Sequence, residues 1–231
     1  MDGEEIGSII LALLVMTFVV GFSELTVEAF LYAFIISFTL VFVFIVSQKV
    51  VADYLGLDIK FKLWTFKRYW LRWQDEFDWE FPMWITLPLI LAVASNGFLR
   101  WTALLVFVTR ITPKKVATKF SEIREFDLAL VAASGIFSAL AIALIMKMVG
   151  LNEFASIASW FAVLNTIPLG NLNGTKLFFG SKVLWIFLVV LTIIILILIE
   201  LTQIFATIFI ALILAAIAAI IFYYFYYAKG K

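Results

Sequence analysis

Apolar residues run along this chain in blocks about as long as a bilayer is thick, at 7–21, 29–46, 128–146, 156–169, 183–199 and 204–222. An α-helix needs about 20 such residues to cross the ~30 Å hydrocarbon core. Inside that core only helices and closed barrels satisfy every backbone N–H and C=O. Barrel strands alternate apolar and polar residues, whereas these blocks are solid. Only 14% of the 231 residues are charged, against about 25% in soluble domains, so a water-soluble fold is excluded. The expected fold is an all-α polytopic membrane protein, a bundle of about six transmembrane helices forming one integral membrane domain over 1–231.

The connections carry the topology. A short polar turn at 22–28 makes a hairpin of the first two spans. The start, Met1-Asp2-Gly3-Glu4-Glu5, is acidic and lacks the basic region and small-residue cleavage site of a secretory signal, so the first helix is expected to stay in place. Within the polar stretch 49–80, residues 57–66 (LDIKFKLWTF) alternate and are aromatic enough to read as a short strand or membrane-edge β ribbon. Trp64, Trp70, Trp73 and Trp79 suit the water–lipid boundary. The apolar stretch 81–108 is broken by Pro82, Pro88, the Ser95-Asn96-Gly97 step and Arg100. Those breaks favour a bent or re-entrant segment over one straight helix.

If 81–108 enters and leaves on one side, the basic residues gather there: Lys49, Lys60, Lys62, Lys67, Arg68 and Arg72, then Arg110, Lys114, Lys115, Lys119 and Arg124, then Lys176, Lys182, Lys229 and Lys231. The positive-inside rule makes that side, and with it both termini, cytoplasmic. Glu24, Glu28, Lys147, Glu153 and Glu200 fall opposite. A single straight crossing at 81–108 would instead invert everything downstream. Beside a bilayer the aromatic-rich basic loop 60–72 reads as a contact for anionic lipid headgroups and not as a nucleic-acid surface, and Asp75, Glu76, Asp78 and Glu80 offset much of its charge. The block 201–227, ending FYYFYY, reads as a lipid-facing or partner-facing helix with an aromatic belt.

Three local patterns go further. Asn165-Thr-Ile-Pro168-Leu-Gly170-Asn171-Leu-Asn173-Gly174 breaks the fourth span, where Asn side chains can bond backbone groups freed by proline. Ser47-Gln48-Lys49 ends the second span, with Gly56 as a helix C-cap. Ala133-Ser134-Gly135 and Ser138-Ala139 supply small residues that let helices approach closely. Taken singly these are a kink, a cap and a packing stripe.

In this order, however, they resemble the site-2 protease family of intramembrane zinc metalloproteases (M50-like), in its archaeal-type branch. Residues 44–56 (FIVSQKVVADYLG) resemble the family's His-Glu-x-x-His segment, with Phe44 on the first ligand His, Ile45 on the catalytic Glu and Gln48 on the second ligand His. Residues 125–141 resemble its Gly-Pro helix segment, with Gly135 on the Gly. Residues 165–179 (NTIPLGNLNGTKLFF) resemble its Asn-x-x-Pro and Leu-Asp-Gly segment, keeping Asn165 and Pro168 and placing Asn173 where a ligand Asp stands. The resemblance implies a site-2-protease-like core over 29–186 completed by a C-terminal helical hairpin at 187–231.

It also implies lost chemistry. The chain contains neither His nor Cys, so none of the imidazole or thiolate ligands of a zinc site is present. Phe44 and Ile45 offer neither ligand nor base, and the amides of Gln48 and Asn173 bind zinc poorly and cannot act as bases near neutral pH. No catalytic residue, metal or cofactor is expected. Neutral Ile45 and Asn173 avoid leaving unpaired carboxylates in a low-dielectric cavity, and Gln48 is expected to hydrogen-bond Asn173 across the old site. The expected role is a pseudoprotease that binds membrane proteins or transmembrane segments, with the ribbon as an edge for strand addition, or that serves as a subunit of a membrane assembly. The alternative is a transporter or channel component built on broken helices. An active intramembrane metalloprotease would need ligands this chain lacks.

Overall fold

The computed structural model describes residues 2–24, 26–68, 76–110 and 124–228. Arg72, Lys114, Lys115, Lys119, Lys229 and Lys231, with Trp70, Trp73 and Asp75, lie outside the described residues. The elements in chain order are α1 (Gly3–Gly21), α2 (Val27–Tyr54), β1 (Asp58–Leu63), β2 (Phe66–Arg68), β3 (Glu76–Phe81), α3 (Met83–Ala94), β4 (Leu105–Arg110), α4 (Glu125–Val149), α5 (Asn152–Thr166), α6 (Asn173–Gly180), α7 (Lys182–Leu201) and α8 (Ile204–Tyr223), with a π-helical turn at Tyr224–Ala228. Among the described residues five helices, α1, α2, α4, α7 and α8, are long and apolar enough to cross a bilayer. The protein is a polytopic membrane helical bundle carrying small, unclosed β ribbons.

Local chemistry sets these boundaries. Thr26 caps α2 by accepting the Ala29 N–H at 3.2 Å. Gly56 ends it with φ of 71°, so that the N–H groups of Gly56 and Leu57 reach the carbonyls of Asp53 (2.9 Å) and Ala52 (2.7 Å). A left-handed residue just past a helix favours glycine, and this two-bond closure satisfies carbonyls the helix leaves open.

The fourth expected span differs from expectation. Residues 156–169 do not form a full-length spanning helix: α5 has 15 residues, about 22 Å of rise, short of a ~30 Å core, and the break at 167–172 with α6 carries the chain the rest of the way back to the start of α7. Pro168 forces the preceding residue out of the helical region, and Ile167 is extended at φ −70°, ψ 126°. Almost all of α5 from Phe154 to Thr166 is buried, so it is an internal helix clasped by α4 and α7. At the centre, α4 presents Ala129, Ala132, Ala133, Gly135, Ala139 and Ala143, all buried, and this small-residue face lets α2, α5 and α6 pack close. Ser47 of α2 donates to Ser138 of α4 at 3.0 Å.

The segment 81–108 doubles back on itself. Phe81 pairs with Phe66, and the Trp84 N–H donates to the Trp64 carbonyl at 2.9 Å, which starts α3 beside the ribbon. After about 18 Å of helix, Asn96 (φ 52°) and Gly97 (φ 81°) turn the chain against Ser23 of the α1–α2 loop. The chain returns extended into β4, which pairs antiparallel with β1 from Leu63↔Leu105 to Asp58↔Arg110. Both ends of the segment thus lie at the ribbon.

The ribbon itself is embedded. Ile59, Lys60 and Phe61 are buried. Trp64, expected at the boundary, is 1% exposed and stacks on Trp101 with centroids 5.7 Å apart, because the return strand carries Trp101 inward alongside it.

Charged contacts define two faces. Glu4 meets Lys60 at 2.7 Å and Glu5 meets Lys49 at 2.6 Å, Lys176 bonds the Phe107 carbonyl of β4, and Lys182 at the start of α7 bonds Tyr226 beyond α8. The N-terminal and C-terminal ends of the bundle therefore share this basic face. Arg100, Lys147, Glu153 and Glu200 line one cavity at the opposite face.

Candidate functional site

Phe44 and Gln48 stand one helical turn apart on the inward side of α2, which places them on one stripe of that helix. Both are buried, Gln48 completely. They face Gly135 of α4, where a Cβ would come within 2.4 Å of Gln48 Nε2 and 2.6 Å of Phe44 Cε2, so only glycine fits there without displacement. The Phe44 ring meets Phe161 of α5 edge-on, with centroids 5.1 Å apart and planes at 84°, a favoured aromatic geometry. Ile45, 7% exposed, packs in the same core.

The α5–α6 break supplies the other wall. Asn165 on the last turn of α5 donates to the Phe161 carbonyl at 2.9 Å and accepts from Asn173 Nδ2 at 3.2 Å. Asn173 opens α6 and is fully buried. Gly174 follows because α6 starts directly on the end of α5: a Cβ there would lie 2.3 Å from the Thr166 carbonyl oxygen. Pro168 and Gly170 lie in the exposed turn between the two helices, and Gly170 rests on the Phe66 ring and Trp64 Nε1. A small cavity between these walls is lined by Phe44, Phe161 and Asn165 together with Thr102, Leu104 and Leu105 of the return strand.

The structure thus brings Phe44, Gln48 and Gly135 together, and Asn165, Asn173 and Gly174 together, with Phe44 and Asn165 on one cavity. One expectation is overturned. Gln48 does not bond Asn173: both Gln48 amide atoms are buried without a partner, as is Asn173 Oδ1. The break in α5 sets Asn173 over the last turn of its own hairpin, so its N–H₂ is taken by Asn165, while the Gln48 amide is wedged against Gly135.

Several participants escaped the sequence reading. Phe161 precedes Asn165 by four residues, hence the same helix face, which is a usable signal. Thr102 and Leu104 depend on the return strand and carry none. Glu5, which the sequence offers only as part of an acidic end, is 3% exposed. The Trp64 N–H to Leu104 C=O bond of 2.8 Å fixes the ladder phase, so the backbone groups of Phe61 and Phe107 point away from each other. On one outer edge Glu5 accepts the Phe61 N–H at 3.3 Å; on the other Lys176 donates to the Phe107 carbonyl. Both edges are thus met by polar side chains reaching in from helices, one way natural sheets block strand addition.

The donor set does not fit a zinc centre. The positions assigned to ligands and base hold a phenyl ring, an aliphatic chain and two amides, and among the described residues no group of three or more His, Cys, Asp or Glu side chains converges. Comparison with protein-family models, with curated proteins and with solved structures returns no match for this chain.

Proposed function

We propose that this protein is a non-catalytic, site-2-protease-like membrane protein that holds membrane polypeptides without cutting them, as a client binder or as a fixed subunit of an assembly. The observation that supports this reading most is the convergence of three separated stretches, Phe44–Gln48, Gly135 and Asn165–Asn173, on one buried junction. A single site built from those three motifs requires that convergence. The residues there lack any base or metal ligand, which is why holding and not hydrolysis is proposed. The basic face is the cytoplasmic one in this reading and meets anionic headgroups.

The rival reading, a transporter or channel component, draws on the breaks at 95–100 and 167–172. The charged residues buried among those described, Glu5 and Lys60, are both paired at the basic face and trace no path through the bundle. The test is mild-detergent purification from native membranes with identification of co-purifying chains. A membrane polypeptide retained intact by the wild type and released by Gln48→Ala or Asn173→Ala supports the proposal. Ion or solute flux in liposomes without any retained chain refutes it.

A further inference from the structure

At the face opposite the basic one, two cavities lie side by side. The outer one, about 460 Å³, is lined by Arg100, Lys147, Asn152, Glu153 and Glu200. The inner one, about 290 Å³, is lined by Phe98, Leu99, Trp160 and Leu196. They share Arg100, Ser156 and Ile157. The outer walls are the α4–α5 and α7–α8 connections.

The cationic wall is built in advance. Arg100 Nε donates to the Gly97 carbonyl (3.3 Å) and Nη2 to Ser23 Oγ (3.2 Å), and Trp160 Nε1 holds the Arg100 carbonyl at 2.8 Å. Three of the five guanidinium N–H groups stay available. Lys147 is fixed by Asn152 Oδ1 at 3.0 Å and keeps two. Arg100, Lys147, Glu153 and Glu200 form no ion pair among the described residues, although two cations and two carboxylates line one chamber. An occupant carrying both charges on one headgroup would answer all four.

We propose that this composite cavity binds one zwitterionic phospholipid of the phosphoethanolamine class, its phosphate on Arg100 and Lys147, its ammonium on Glu153 and Glu200, and an acyl chain along Phe98, Trp160 and Leu196. A planar guanidinium suits bidentate phosphate contact, and the apolar chamber selects an amphiphile over a free phosphate. This inference is independent of the family reading.

The test uses the full chain, delipidated in detergent, with native mass spectrometry of adducts formed with phosphatidylethanolamine, phosphatidylglycerol or diacylglycerol at equal concentration, and with inorganic phosphate as competitor. One phosphatidylethanolamine per chain is expected. Loss of a charge-assisted bond in Arg100→Gln or Lys147→Gln lowers retention about tenfold. Glu153→Gln with Glu200→Gln weakens phosphatidylethanolamine but not phosphatidylglycerol. Leu196→Trp, which fills the inner chamber without touching the Arg100 bonds, weakens both lipids and covers the case in which Arg100→Gln misfolds. Equal retention of diacylglycerol, preference for phosphatidylglycerol, displacement by millimolar phosphate, or full retention by Leu196→Trp and Lys147→Gln together overturns the proposal.

Discussion

Replacing Gln48 by Met should stabilise the protein. Both polar atoms of the Gln48 amide are buried without a partner, and a buried donor or acceptor left unpaired costs about 1–3 kcal/mol. Met has nearly the same length, bends to fit irregular gaps, and removes both polar atoms without opening a cavity. The unfolded state of a membrane protein also keeps the side chain near lipid and other helices, which reduces the net gain to about 0.5–2 kcal/mol. Reversible unfolding by titrating a denaturing detergent into mild micelles, followed by tryptophan fluorescence, reads this directly. A tenfold shift in the unfolding constant corresponds to about 1.4 kcal/mol. Destabilisation by more than about 1 kcal/mol would mean that the amide has a partner in the membrane, and the reasoning about an emptied site would fail.

Three further outcomes follow from the same geometry. Gly135→Ala forces a methyl against Gln48 and Phe44 and should cost about 1–3 kcal/mol in the same assay, with part of the loss recovered in the double variant with Gln48→Ala, since Phe44 Cε2 stays 2.6 Å from the new Cβ; loss without any recovery would place the strain elsewhere. Glu5→Leu removes the acceptor of the Phe61 N–H and the partner of Lys49, so it should lower stability by about 1–3 kcal/mol and speed hydrogen exchange at Phe61; unchanged exchange would show that Glu5 does not guard the ribbon. Because the chain has no Cys, single cysteines report topology cleanly: Lys62→Cys and Ser181→Cys should label from one side of the membrane and Ser23→Cys and Leu151→Cys from the other. Labelling of Lys62→Cys and Ser181→Cys from opposite sides would break the re-entrant topology.

Much of this architecture is legible in the sequence because solid apolar blocks admit few solutions in a bilayer. The doubling back of 81–108 is legible for a local reason: Asn96 and Gly97 adopt positive φ and end α3, although Pro88, which also reads as a break, is accommodated inside that helix. What fails is long-range. The stretch Leu105–Arg110 reads as the tail of an apolar block, and its pairing with β1 is invisible because nothing local selects a strand whose partner lies more than forty residues upstream. That pairing buries Trp64, which composition places at the boundary. The block 156–169 is shorter than the about 20 residues a full span needs, and the restriction Pro168 imposes on Ile167 ends α5 early, leaving it an internal helix.

At the site, the residue types are legible, since Phe44, Ile45, Gln48 and Asn173 bear no metal ligand or base near neutral pH. Their hydrogen bonding was not legible, because the backbone break hands Asn173 to Asn165. Glu5 was missed because its partners, Lys49 and Phe61, come near only once α1 and α2 fold back as a hairpin.

The central claim, that this junction is a zinc-protease site with its chemistry removed, is best tested by putting the chemistry back. In the combined variant Phe44→His, Ile45→Glu, Gln48→His and Asn173→Asp, zinc content measured after dialysis against a weak chelator should rise to about one ion per folded chain, while the wild type retains none. A combined variant that folds, melts cooperatively and still holds no zinc, or a wild type that retains zinc against the chelator, would contradict the account.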